Sequence, residues 1–155
     1  MRLVLAGWIA LASLACGERD RLEANKALVR RYMEEMLNRG DIGAVAQVFP
    51  DSGYVLNGQL MRPTDVQMMR AQLLERFPDF RLVIEEQIAE GDKVVTRVTF
   101  HGTHRGEYRG IPATGRSVSY GGVAIDRIQG GKVIEGWHQA DDWALLRQLG
   151  AKIAR

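Results

Sequence analysis

A second cysteine is missing from this chain, so no disulfide can form within it even in an oxidising compartment. An excess of charge of either sign is nearly missing as well. With 21 Lys and Arg against 19 Asp and Glu the formal balance is +2, which removes the electrostatic case for a nucleic-acid partner. Metal-ligand spacing is absent too. His101, His104 and His138 form neither HxH nor HxxxH, so no metal and no other cofactor is expected. No internal repeat, low-complexity block or domain linker occurs past residue 24. What remains is one domain, and 155 residues are enough to bury a core.

The N-terminus differs from the rest. Met1-Arg2 is a positive start, Leu3 to Leu14 is an uncharged apolar run, and Ala15 precedes the single cysteine, Cys16. The run is too short for a spanning helix, so residues 1–15 read as an export signal and residues 16–23 as a tether. The segment resembles a bacterial lipoprotein signal, in which cleavage before Cys16 leaves a lipidated thiol that anchors the chain to a membrane. Ser13 stands where such signals usually have Leu, and Leu14 comes one place late. An ordinary signal peptide and an uncleaved anchor therefore stay open. The expected location is exported, either periplasmic or membrane-anchored.

From Ala24 to Asn38 the apolar residues Leu28, Val29, Tyr32, Met33, Met36 and Leu37 recur at helical spacing. Gly40 suits a left-handed cap, and Asp41 can cap a short helix with Ile42, Val45, Val48 and Phe49 on its apolar face. Tyr54 to Leu56 reads as a strand ending at the turn signal Asn57-Gly58. A third helix follows, with Thr64 to Gln67 as a capping box and Val66, Met69, Leu73 and Phe77 on one face. After Pro78 the period becomes two. Leu82, Ile84 and the run Val94 to Phe100 flank Glu90-Gly91-Asp92-Lys93, a long hairpin. Helices first and antiparallel strands afterwards describe an α+β domain.

The stretch from Gly122 to Gly150, GVAIDRIQGGKVIEGWHQADDWALLRQLG, is a hairpin about Gly130-Gly131 leading into a short helix. Pairing Gln129 with Lys132 puts Ala124 opposite Trp137, Val123 opposite His138 and Tyr120 opposite Asp141. Tyr120, Gly122, Ala124, Trp137, Gln139 and Asp141 then share a face suited to lining a pocket, and His138 faces away unless a bulge re-aims it. Asp126 and Arg127, near the hairpin tip, read as a solvated charge pair.

GWHQADDWALLRQLG, preceded by GIPATGRSVSYGGVAIDRIQGGKV, resembles the C-terminal half of the SnoaL-like polyketide cyclase and ester cyclase families. These are members of the nuclear-transport-factor-like (cystatin-like) superfamily. The resemblance implies a cone-shaped fold over residues 24–155, a strongly curved antiparallel sheet wrapped round the N-terminal helices, with a pocket between the concave sheet and the first and third helices. It also implies ring closure by intramolecular aldol chemistry without metal or Schiff base, and it places the functional carboxylate at Asp141.

An Asp141 carboxylate near Trp137 and Tyr120 would be partly desolvated, a setting that favours a proton on it. Either Asp141 or Asp142 could instead cap the last helix. His138 is the second catalytic candidate. Tyr32, Asn57, His104, Tyr120 and Trp137 are candidate contacts for an apolar or aromatic small molecule, with core packing or a plain turn as the alternative for each. Three functions fit these residues. One is a small-molecule cyclase, isomerase or related enzyme, another a non-catalytic exported binding protein, and the last a structural role with the sheet's outer face forming a homodimer.

Overall fold

The computed structural model describes residues 4–41 and 43–152, with side chains from residue 17 onward. The first three residues of the export-signal reading and the side chain of Cys16 lie outside the described residues. Helix α1 runs Val4–Arg31 and passes directly into a π-helical segment, Tyr32–Arg39. The stretch expected to be a tether, residues 16–23, is helical here. Among the described residues no helix is long and apolar enough to cross a membrane.

The π-helical segment keeps Tyr32, Met33 and Met36 buried, in line with Val29 at the end of α1. Its wider i to i+5 ladder loosens the usual backbone pairing, and other groups take up the freed carbonyls. Arg70 Nε donates to the Met36 carbonyl at 2.8 Å, and Gly40, at φ 76°, directs its N–H to the Glu35 carbonyl. Asp41 caps helix α2 (Gly43–Val48), its Oδ1 accepting from Gly43 N at 2.8 Å. Strands β1 (Tyr54–Leu56) and β2 (Gln59–Met61) flank the Asn57-Gly58 turn, and helix α3 spans Pro63–Arg76. This helix begins before the expected Thr64 cap. Proline at its first position needs no N–H partner, and Arg62 N donates to Asp65 Oδ2 at 2.8 Å.

Strands β3 (Arg81–Glu90), β4 (Lys93–Thr103), β5 (Ser117–Gln129) and β6 (Lys132–Ala140) follow, and helix α4 (Asp142–Leu149) closes the domain. The sheet order is β2-β1-β6-β5-β4-β3. It is antiparallel except where β1 runs parallel to β6, with Val55 beside Glu135. Bulges bend such a sheet, and one interrupts β3 between Ile84 and Glu86. The concave face covers a core that includes Met33, Val48, Phe77, Val94, Val133 and Leu145. Burying each such side chain stabilises the fold by about 1.5–3 kcal/mol.

A second bulge changes the reading of the site. Gln129 pairs with Lys132 and Ile128 with Val133, but Arg127 pairs with Glu135, leaving Ile134 as an extra residue in β6. One extra residue in a period-two strand exchanges the two faces beyond it. Ala124 therefore stands opposite His138, and Trp137 stands opposite Ile125. The expected assignment of Trp137 to the pocket face and of His138 to the outside is reversed.

Candidate functional site

Alternation along β4 and β5 pairs Val94 with Asp126, Thr96 with Ala124, Val98 with Gly122 and Phe100 with Tyr120. On β6, Gly136 lies opposite Asp126 and His138 opposite Ala124. This geometry puts a carboxylate and an imidazole on the concave face. Asp126 is 0% exposed, and its Oδ1 lies 3.0 Å from His138 Nε2. An ionised carboxylate only accepts, so with Asp126 ionised and the imidazole neutral the bond takes the proton on Nε2 and leaves the lone pair on Nδ1. No protein group among the described residues takes that nitrogen. Gly136 leaves room for the pair by having no side chain. A Cβ there would sit 3.0 Å from His138 Nε2 and 3.1 Å from Asp126 Oδ1.

Tyr32, from the π-helical segment, lies over the imidazole with ring centroids 6.5 Å apart and planes 20° apart. Burial, followed by the negative charge of Asp126, pushes the Tyr32 hydroxyl well above the usual phenol range. It therefore stays protonated, and among the described residues it has no hydrogen-bond partner. Tyr54 is shifted the same way by the same two causes. A cavity of about 150 Å³ opens between helix and sheet, lined by Tyr32, Met33, Val98, Phe100, Ala124 and His138 among others. No α3 residue lines it, so the helical wall comes from the π-helical segment rather than from the first and third helices together.

The other sequence candidates are dispersed. Asn57 does not line the cavity beside Tyr32 and His138; its side-chain amide holds the backbone of His138. His104 is 0% exposed rather than at a pocket mouth. Its Nδ1 accepts from Thr114 N at 3.3 Å and lies 3.1 Å from Thr114 Oγ1, and its ring packs 5.5 Å from Phe77. Tyr120 is half-buried behind Phe100, their rings 5.1 Å apart. Trp137 lies on the outer face and is 39% exposed.

Asp141 is exposed, so the expected desolvation is absent. Its Oδ1 accepts from Ala144 N at 2.8 Å as the cap of α4, and it borders a shallow depression shared with Gly121, Gly122 and Val123. Its neighbour Asp142 binds Arg109 Nη2 at 2.5 Å and Tyr108 OH at 3.3 Å. No cluster of three or more His, Cys, Asp or Glu suited to a metal occurs among the described residues.

Asp126 was misread from sequence. It is buried and pairs with His138, while Arg127 turns to Glu135, with Nη2 to Oε2 at 2.6 Å. The signal was present, since Asp126 shares parity with Tyr120, Gly122 and Ala124, which were already assigned to the concave face.

The model of one family, the SnoaL-like polyketide cyclases, matches residues 27–149. Among solved structures, TsrD from Streptomyces laurentii is similar at 29% identity and a TM-score of 0.74, over 84% of this chain and 97% of that one. AclR from Streptomyces galilaeus is similar at 29% identity and 0.71, over 83% and 97%. IdmH from Streptomyces antibioticus is similar at 23% identity and 0.72, over 82% and 99%, a likeness of fold. No curated protein matches the chain.

Proposed function

Because the chain belongs to the SnoaL-like polyketide cyclase family, we propose that it catalyses ring closure or isomerisation of an apolar carbonyl compound by proton transfer at His138, supported by Asp126. The observation that carries this reading is the pairing of buried Asp126 with half-buried His138, 3.0 Å apart at the wall of a partly open, mainly apolar cavity.

His138 Nδ1 removes a proton from the carbon beside a carbonyl, and the electron pair moves to the carbonyl oxygen as an enolate. Asp126 stabilises the imidazolium formed, in the manner of a histidine oriented by a buried carboxylate. The Tyr32 O–H donates to the enolate oxygen, where charge develops in a water-poor site. In an isomerisation the proton returns to another carbon. In ring closure the enolate carbon bonds to a second carbonyl of the same molecule, and the new alkoxide takes the proton back from His138. Rate is gained from orientation as well as from proton transfer.

The test is enzyme-dependent deuterium uptake at the α-carbon of cyclohexanone in heavy water. His138→Gln and Asp126→Asn should each lower it by about 10²-fold or more, with Asp141→Asn close to wild type. Loss in Asp141→Asn alone would move the acid/base role to Asp141. Binding of the ketone with no uptake above buffer would make the protein a binding protein.

Two further proposals concern the surroundings of the domain. We propose a second copy of this chain on the sheet's outer face, where Ile88, Val95, Val123 and Trp137 are exposed. Trp137→Glu should then shift the sedimentation of a dimer to that of a monomer, and an unchanged mass would dismiss the idea. We also propose export with lipid on Cys16, on the strength of the apolar run before it. Metabolic labelling with a fatty acid should mark the wild-type chain and not Cys16→Ser.

A further inference from the structure

We infer that Arg70 is a positioning residue for the cavity: from α3 it holds the helical wall Tyr32–Arg39 in its π form, and without it that wall relaxes to an α-helix. The consequence for turnover rests on the reading of the cavity as the reaction site. Nothing in the segment itself asks for a π-helix. Its apolar residues Tyr32, Met33, Met36 and Leu37 continue the α spacing of Leu28 and Val29, and Met, Glu, Leu and Arg are all good α-formers. An α-helix would turn the same stripe inward. A π-helix of eight residues is therefore a form that contacts from outside the segment must select.

The hydrogen bonds at its end show which contact competes with the α ladder. In an α-helix the Gly40 N–H would donate four residues back, to the Met36 carbonyl. Here it donates five residues back, to the Glu35 carbonyl, which also accepts from Asp41 N at 2.9 Å. The Met36 carbonyl is left to Arg70, whose Nε donates to it at 2.8 Å. The guanidinium lies against Gly40, where a Cβ would come within 2.6 Å of Nη2. No acidic side chain pairs with Arg70 among the described residues. A half-buried cation is thus directed at one backbone carbonyl, at the helix end where the dipole is negative. Asn38 clamps the same turn to β3, donating to the Leu82 carbonyl at 2.9 Å and accepting from Leu82 N at 2.8 Å.

The wall that these bonds fix is the one facing His138. Tyr32, Met33 and Leu37 line the cavity, and Tyr32 lies over the imidazole. An α-helix turns and rises more per residue than the wider π-helix. With Asn38 clamped to β3, the change would therefore slide Tyr32 past His138. Arg70 reaches the chemistry only through this helix.

The experiment reads the ladder by NMR couplings across hydrogen bonds in the full chain, without substrate. In the wild type the Gly40 amide should couple to the Glu35 carbonyl. In Arg70→Met it should couple to the Met36 carbonyl, with the Tyr32 and His138 ring signals shifted. Arg70→Met should lower kcat for deuterium uptake about tenfold or more, whereas Arg70→Lys, which keeps a donor, should stay within about threefold of wild type. Should Arg70→Met fail to fold, Arg70→Gln, too short to reach the Met36 carbonyl, decides by the same couplings. A lower urea midpoint with couplings and ring signals unmoved would make Arg70 merely structural and overturn the inference. So would coupling of Gly40 to Met36 in the wild type, or a shifted ladder with full His138-dependent uptake. A wild-type chain without enzyme-dependent uptake removes the proposed reaction alone, and the couplings and ring signals then decide the inference.

Discussion

Asn57 holds His138 by its backbone from both sides: Asn57 Nδ2 donates to the His138 carbonyl at 3.1 Å, and His138 N donates to Asn57 Oδ1 at 2.9 Å. Asn57 can do this because it occupies the tight turn after β1 at φ 49°, a conformation that asparagine tolerates better than most residues. The turn thus supplies β6 with the rung that a longer β1 would have supplied. Replacing Asn57 by Ala should cost about 1–3 kcal/mol for two hydrogen bonds, towards the lower end because the residue is exposed. Urea unfolding measures that loss. Deuterium uptake should fall further than stability explains, because the imidazole is no longer fixed.

Gly136 is the position where a single methyl group meets both members of the pair. Gly136→Ala should displace His138 or Asp126 by a few tenths of an ångström and lower uptake at least tenfold, since a small misplacement is costly for proton transfer. The check is kinetic, with the His138 imidazole NMR signals reporting the shift. Wild-type uptake with unmoved signals would mean that the pair is not under this constraint.

Tyr32→Phe removes the hydroxyl and keeps the ring over His138. Turnover should drop by about 10²-fold if the hydroxyl stabilises an oxyanion. Cyclohexanone affinity should change only a few fold. Loss of both together would make Tyr32 a binding contact only.

Asp141 caps α4, and that alone predicts a difference between two variants. Asp141→Ala should destabilise the domain by about 1 kcal/mol, whereas Asp141→Asn, an equally good cap, should leave the melting temperature nearly unchanged. Thermal unfolding separates the two.

His104 predicts a pH dependence of stability. Burial pushes its imidazole below the ordinary histidine value of 6.5, against a smaller opposite pull from the Gly106 backbone. The unfolded chain then binds this proton more readily than the folded one, so stability rises with pH in that window. His104 should support the fold fully above about pH 6.5, with its share lost as pH falls through the lowered folded value. Melting temperatures at pH 7.5 and pH 5 should differ more in wild type than in His104→Gln, whose amide can still accept from Thr114.

The helical pattern that buries Val29, Tyr32, Met33 and Met36, the long hairpin after Pro78 and the α+β order were all legible, because amphipathic spacing and turn residues are local quantities. The motif ending in DDWALLRQLG was legible as a family signature, and Tyr32 as an inward-facing residue. The π-helical form of Tyr32–Arg39 was not, and neither was the contact that meets its Met36 carbonyl, Arg70 Nε from α3, since a partner 34 residues away leaves no local pattern.

By itself, then, the chain's order of residues determined the class of fold and the parity of β5, including the inward parity of Asp126. Only the tertiary structure decided which side chains of β6 join it. That choice turns on Ile134, an extra residue that no local pattern marks, accommodated where β6 follows β5 on one side and β1 on the other. In a strand a one-residue shift exchanges every side chain between faces, so one bulge carries His138 to Asp126 and leaves Trp137 outside.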